Sequence, residues 1–427
     1  MSKDTTCDKK TLAIVVGGGP APGINGVIGS VTIEAANNGL KVLGIYDGFK
    51  WLVKGDASHV VELDPQHISR VHLQGGSILR TSRENPTTSE EKMANVTKAL
   101  RELGVGYLVT IGGDDTAYSS RKVAEAFGGE VQVVHVPKTV DNDLPLMEGQ
   151  PTFGYQTARD VGAKLVQNLL EDSKTTGRWY FVIAMGRSAG HLALGMAKSA
   201  GAHLCLIPEE FDQDVPMDTL LDMIEGTMLK RKAMGRPDGV AVMAEGVGLK
   251  LDPKVWENEP LATIKHDEHG HVRLAEVDLG RIIKREIEKR FKARDEKITI
   301  VAKDIGYELR CAPPCAFDCE YTRNLGCGAV QFLLGQLAEF PVKPGCMMGM
   351  EGDKVVVLDL DDLKDPDSGR TAVRRVNLDN DQYKVAVHYQ LRITKADLAC
   401  DDCCAKIAEA GKMTIDELRA KFGPVAN

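Results

Sequence analysis

Short runs built almost entirely from Val, Ile, Leu and Ala alternate along this chain with helix-length amphipathic segments, and that rhythm leaves few folds open. TLAIVV precedes GINGVIGSVTIEAANN, YLVTI precedes DTAYSSRKVAEAF, VQVVHV follows, WYFVIA precedes SAGHLALGMAKSA, and HLCLIP and GVAVMA come after. Each pair reads as strand then helix. Strands so uniformly apolar require cover on both faces, so the sheets are expected to be mostly parallel and doubly wound, with ligands at the carboxyl ends of the strands. A length of 427 residues exceeds one ordinary compact domain and predicts two or three units around one or two large cores. The stretch from about 249 to 277 is polar and weakly periodic, and is expected to be an insertion or an excursion between lobes. The last fifty residues, with VAVHYQLRI and TIDELRAKF, are expected to pack back onto the body.

Charge excludes several function classes. Lys and Arg number 53 against 61 acidic residues, a formal charge of −8, the wrong sign for a general nucleic-acid or anionic-membrane binder, so any phosphate site has to be local. No run approaches the ~20 apolar residues of a membrane span. The polar start MSKDTTCDKK carries no secretory pattern, and ten cysteines in so long a chain fit a reducing compartment better than a disulfide framework. The expectation is a cytoplasmic enzyme with no nucleic-acid or membrane partner.

Three strand ends carry the chemistry. After the first strand, Gly17 to Gly23 (GGGPAPG) opens into a helix, where backbone amides can hold an oxyanion. A dinucleotide fingerprint would need glycine where Pro22 stands, and a Walker loop would need Lys-Ser/Thr where Ile24-Asn25 stand. The turn thus reads either as a phosphate cradle of another kind or as an empty strand-to-helix turn with Pro22 near the first helical position. After YLVTI come Gly112-Gly113-Asp114-Asp115-Thr116. Asp114 or Asp115 could serve as helix N-cap. Two adjacent glycines, however, suggest a close approach to the backbone, and an aspartate beside a phosphate cradle suggests Mg²⁺ held by one carboxylate and phosphate oxygens, with Asp114 the candidate ligand. VQVVHV runs into Pro137-Lys138-Thr139-Val140-Asp141-Asn142-Asp143. If that segment is extended, Asp141 and Asp143 point the same way, and two carboxylates, a lysine and a hydroxyl converge as phosphoryl transfer requires. The competing reading is an Asx-rich turn with solvated side chains.

Taken together, GGGPAPGIN, GGDDT, PKTVDND, the Met185-Gly186-Arg187 and Ala244-Glu245-Gly246 triplets, and GYELR ending at Arg310 resemble the phosphofructokinase family in order and spacing over roughly the first 330 residues. The resemblance implies two α/β lobes with the active site between them. Residues 1–153 with a returning segment at about 309–375 would hold the phosphoryl donor, and residues 154–308 with about 376–427 would hold fructose 6-phosphate. It further implies Asp141 as the base for the sugar 1-hydroxyl, Asp143 as its support, Thr139 on the sugar, Asp114 on Mg²⁺, and Gly19 and Arg83 on the donor phosphates. The sugar-phosphate side would be Met185, Gly186, Arg187, Glu245, Tyr307 and Arg310, although Arg187 could instead pair on a helix start, Glu245 cap its following loop and Tyr307 lie in the core. Tyr307 stands where many bacterial members have histidine, and Arg310 is followed by Cys-Ala-Pro-Pro rather than a glycine pair. Arg178 has the spacing of an arginine lent by a neighbouring subunit, which implies a homo-oligomer with a dimer favoured.

The donor turns on Asp115 and Lys138. Members using ATP typically have glycine at the first position, where the α-phosphate passes, whereas members with GGDD and PKT use inorganic pyrophosphate. A carboxylate ~4 Å from an α-phosphate charge costs about 4 kcal/mol at an effective dielectric near ~20, on the order of a thousandfold in affinity. Lys138 would offset charge on the leaving group and the transferring phosphoryl. The implied reaction moves a phosphoryl group from pyrophosphate to fructose 6-phosphate, reversibly and without strong allosteric control. An ATP-using member, a regulatory subunit of the same fold, and an NAD kinase-like or dehydrogenase reading are the alternatives. Presence of Asp114 and Asp141 argues against the second, and PKTVDND, MGR and GYELR have no role in the third. His266, His269 and His271 are expected to lie in a solvated hairpin. Cys311, Cys315 and Cys319, and Cys400, Cys403 and Cys404, lack a paired CxxC spacing for a four-ligand metal site and are expected to be buried or incidental thiols.

Overall fold

The computed structural model describes residues 10–147, 149–257, 278–366 and 371–427. Its strands, in chain order, are β1 Thr11–Val16, β2 Lys41–Ile45, β3 Val60–Leu63, β4 Val105–Gly112, β5 Gln132–Thr139, β6 Phe153–Gly154, β7 Trp179–Ala184, β8 Leu204–Leu206, β9 Gly239–Ala244, β10 Ile300–Ile305, β11 Cys346–Glu351 and β12 Lys354–Asp359. The chain divides into two compact units, Met1–Ala158 with Tyr307–Arg374, and Arg159–Gly306 with Arg375–Asn427. The histidines at 266, 269 and 271, and most of the polar excursion, lie outside the described residues.

The first unit is a mostly parallel sheet in the order β12-β11-β5-β4-β1-β2-β3, with β6 beside β5; only the β2–β3 and β11–β12 pairs are antiparallel. Alternate residues of TLAIVV serve opposite cores. Leu12, Ile14 and Val16 pack with the helices Ile24–Asn37 and Ala316–Leu333, while Ala13 and Val15 pack with Leu100, Val123 and Phe127 on the other face. That alternation, repeated across the sheet, makes three layers and realises the doubly wound α/β expectation. The chain steps from β1 outward to β2 and β3 and then returns to place β4 on the other side of β1, so the winding reverses between β1 and β4. Open sheets bind ligands at such a reversal.

The second unit is an all-parallel sheet, β10-β7-β9-β8. The C-terminal helices Asp401–Gly411 and Ile415–Phe422 bury Cys404, Ile407, Leu418 and Phe422 in its core. A buried carboxylate ties them down, since Glu225 accepts from Arg290 Nη1 at 2.8 Å, from Lys421 Nζ at 2.7 Å and from Arg294. The cysteines of both clusters are free thiols, and Cys400 stays beside Cys403, whose amide donates to its sulfur at 3.2 Å. Cys311 is exposed, Cys315 is the N-cap of Ala316–Leu333, and Cys404 is buried with its thiol against the Asp397 and Leu398 carbonyls.

One polar chain crosses the first core. His135, fully buried in β5, has Nε2 at 3.1 Å from the Gly112 carbonyl and Nδ1 at 2.9 Å from the Thr110 hydroxyl, which is 2.8 Å from Ser120 Oγ. A carbonyl only accepts, so Nε2 carries the proton, and Thr110 donates to Nδ1. Burial, with Lys138 adding to it, pushes the imidazole down from 6.5 to about 3. Burial likewise pushes His203 to about 4. Unfolded histidine therefore binds a proton that folded His135 refuses between these values. Its stabilising contribution is complete above the unfolded value and drains away as pH falls from about 6.5 toward 3, by on the order of a few kcal/mol. Thermal melts of wild type and His135→Gln between pH 7 and pH 4.5 are expected to show a shallower loss of Tm in the variant; parallel slopes would contradict the assignment.

Candidate active site

In the first unit the three loops singled out by sequence follow neighbouring strands. Val16 pairs with Ile111, Ile111 with Val136, and Gly112 with Pro137, so the ends of β1, β4 and β5 stand side by side in register. Beyond β1, Gly17 donates to the Ile111 carbonyl and Gly18 to the Ser82 carbonyl, each at 2.8 Å, which carries the segment bearing Arg83 alongside the glycine turn. Arg83 itself is exposed. Gly23, at φ +106°, is the N-cap of the helix Ile24–Asn37, so Pro22 lies just outside that helix.

One glycine of GGDD has a packing cause. A Cβ on Gly112 would lie 2.3 Å from Thr116 Cβ, and one on Gly17 2.5 Å from Thr116 Oγ1. At Gly112 and Gly17 the group approaching the backbone is thus the Thr116 side chain, wedged between two strand ends. Beyond it the floor opens, with nothing nearer than 3.8 Å to a Cβ on Gly113. Gly113 is also the N-cap, which corrects the capping reading of the aspartates: Asp114 and Asp115 occupy the first helical turn of Asp114–Phe127. Two carboxylates there are favoured by the positive helix end.

β5 extends through Lys138 and Thr139, further than its apolar run. Lys138 is buried, and its ammonium would lie 3.2 Å from a Cβ on Gly18. The Arg310 guanidinium approaches the next residue, 3.6 Å from a Cβ on Gly19, and stands 4.9 Å from the Tyr307 ring. Tyr307 is 69% exposed, which rules out a core role. The segment after β5 is not extended. Asn142 has φ +58°, so the two-residue alternation invoked for Asp141 and Asp143 does not apply. Instead the Asp141 amide donates to Thr139 Oγ1 at 3.0 Å, and Asn142 Oδ1 accepts from the Thr152 amide at 2.9 Å and from Arg374. Arg374 and His135 escaped the sequence reading. A histidine inside an apolar strand was a visible signal for His135; Arg374 reaches the turn across 232 residues of chain, which no local pattern records.

In the second unit, Met185, Gly186 and Arg187 follow β7, and Glu245 follows its neighbour β9. Buried Glu245 accepts from the Gly186 amide at 3.2 Å and the Arg187 amide at 2.8 Å, so it caps the MGR turn. Arg187 has φ +52° and precedes the helix His191–Ala200 by several residues, so it does not sit on a helix start. Gly246 is needed because a Cβ would lie 2.4 Å from the Arg187 carbonyl. Arg178 is not brought to this turn. It precedes the first residue of β7 while Met185 follows the last, which separates them by roughly 20 Å along one strand. Its Nε lies 3.9 Å from Asp172 Oδ2.

Among the described residues no group of three or more His, Cys, Asp or Glu side chains is arranged to hold a metal by itself, and no helix is long and apolar enough to cross a membrane. The first unit's arrangement can therefore cradle an anion between backbone amides, a buried ammonium and a guanidinium, with carboxylates at its edge.

The phosphofructokinase family model matches residues 11–333. The pyrophosphate–fructose 6-phosphate 1-phosphotransferase of Thermotoga maritima is 53% identical over 411 residues, covering 96% of this chain and 97% of that protein. The like-named protein of Naegleria fowleri is 47% identical over 420 residues, covering 96% and 95%. A solved pyrophosphate-dependent phosphofructokinase from Nitrosospira multiformis has the same fold, with a TM-score of 0.66 at 17% identity over 89% of this chain and 90% of that one. With strand ends, motifs and relatives in agreement over nearly its whole length, this chain belongs to the phosphofructokinase family.

Proposed function

We infer that this enzyme transfers a phosphoryl group from pyrophosphate to the 1-hydroxyl of fructose 6-phosphate, giving fructose 1,6-bisphosphate and phosphate, and that it runs in both directions. The observation that carries the donor assignment is Asp115, a carboxylate in the first turn of the helix after β4, at the strand end adjoining the one that presents Lys138. A nucleotide's α-phosphate brought to that turn meets a negative charge, whereas pyrophosphate has no such group. Two relatives named for pyrophosphate, at 53% and 47% identity, support the same reading.

The roles proposed are those the family resemblance implies, and the placement of several residues supports them. Amides around Gly19, the Lys138 ammonium and Arg83 bind the donor phosphates, and Lys138 offsets charge on the departing phosphate. Asp141, buried beside the Thr139 hydroxyl, takes the proton of the sugar 1-hydroxyl, and Asp143 supports it. Met185, Gly186, Arg187, Glu245, Tyr307 and Arg310 are the residues the resemblance assigns to fructose 6-phosphate. A hard-oxygen site with one carboxylate fits Mg²⁺, which keeps several waters and completes its shell with substrate phosphates rather than a protein cage. Asp114 would hold it, and the ion would neutralise phosphate charge there. Arg178, remote from the turn of its own subunit, serves a neighbouring copy, which makes the enzyme a homo-oligomer, most simply a dimer. Nine free thiols among the described residues support a cytoplasmic setting.

Asp115→Gly is expected to raise ATP turnover relative to pyrophosphate by about tenfold to a thousandfold, while Lys138→Gly chiefly lowers pyrophosphate turnover; steady-state assays with both donors check this, and unchanged preference in both variants would discredit the donor argument. Asp141→Ala should lose about 10²- to 10⁴-fold in kcat with the pyrophosphate KM little changed. Near-wild-type turnover in that variant would remove Asp141 as the base.

A further inference from the structure

We propose that Arg374 is a positioning residue for phosphoryl transfer, holding the Asp141–Asn142–Asp143 turn in its working shape from a segment that lies beyond the family match. Arg374 Nε donates to the Asn142 carbonyl at 3.1 Å, Nη1 to the Gln150 carbonyl at 2.7 Å, and Nη2 to Asn142 Oδ1. Its own backbone amide donates to the Asp143 carbonyl at 2.8 Å. One residue therefore grips both sides of the turn and the loop that follows it.

The grip has something to hold. Asn142 sits at φ +58°, a conformation that L-residues adopt sparingly, and it persists only where the surroundings over-determine it. Here its side-chain oxygen is fixed by two donors, Arg374 and the Thr152 amide, while Thr152 Oγ1 closes back on the Thr139 carbonyl at 2.7 Å. The flanking Asp141 carboxylate is the group whose aim matters, and misplacement of a reacting group by ~1 Å can cost on the order of 100-fold. A guanidinium reaches three acceptors in three directions because its donors form a rigid planar fork; an ammonium on a flexible stem does not reproduce that pattern. Asp143 also attracts the Arg374 charge, which keeps the half-buried guanidinium over the turn.

The inference rests on Asp141 being the base, and the test separates the two ideas by adding a readout that needs no turnover. Arg374→Ala is expected to lower kcat by about 10- to 100-fold with KM for pyrophosphate and fructose 6-phosphate within about threefold. Arg374→Lys recovers little of that loss, and guanidinium chloride at non-denaturing concentration restores part of it to the alanine variant. Amide hydrogen exchange across residues 139–152 should quicken at least about tenfold, with β4 unchanged. Should the alanine variant fail to fold, the lysine variant carries the same comparison. A folded variant with wild-type exchange in 139–152 and kcat within about threefold would overturn the proposal. So would a loss that follows Tm alone, raises both KM values and resists guanidinium. Faster exchange in 139–152 together with a kcat loss in Asp141→Ala as large as predicted supports it; faster exchange with Asp141→Ala still active overturns the base assignment and leaves the clamp standing.

Discussion

In a parallel sheet the carboxyl ends of all strands, and the loops that leave them, lie along one edge, so strand order decides which loops meet. The order β5-β4-β1 brings GGGPAPG, GGDD and PKTVDND together, although four α-helices and the strands β2 and β3 intervene between them in the chain. Everything proposed about the donor follows from that adjacency. A glycine turn alone would be an empty bend, and an aspartate pair alone a favourable helix start. Next to a buried lysine they make the proposed anion site, whose own negative charges would limit what can enter.

The shape of these loops depends on groups packed behind and beside them. Thr116 fills the space left by Gly17 and Gly112, which locks two strand ends together behind the loops. His135 holds the Gly112 carbonyl from below, and its neutral form is enforced by complete burial. Arg374 secures the turn of Asp141 from the side. In the second unit buried Glu245 accepts from two amides of the MGR turn and so fixes the shape of that turn. Preorganisation of this kind is where electrostatic catalysis gets its advantage, because the dipoles need no rearrangement during the reaction.

Much of this was legible in the chain. Uniformly apolar strands announced a covered parallel sheet, and alternate residues of TLAIVV do face two cores. Motif order led to the family. What local patterns missed was set by distant partners. Whether Gly112 leaves room for a ligand or for Thr116 depends on how one helical turn folds back, and the left-handed Asn142, which undid the alternation argument for Asp141 and Asp143, is held by an arginine 232 residues away. The C-terminal helices were expected only to pack back; their anchor, Glu225 among Arg290, Arg294 and Lys421, joins three elements far apart in sequence.

The central claim is that a carboxylate at residue 115 reserves the strand-end site for a donor without an α-phosphate. Calorimetric titration of the wild-type enzyme with Mg²⁺ and either pyrophosphate or a non-hydrolysable ATP analogue tests it directly, alongside initial rates with each donor. The account predicts saturable pyrophosphate binding and rapid formation of fructose 1,6-bisphosphate, with ATP weaker by about two to three orders of magnitude. Comparable affinity for the nucleotide, with turnover to match, would contradict it.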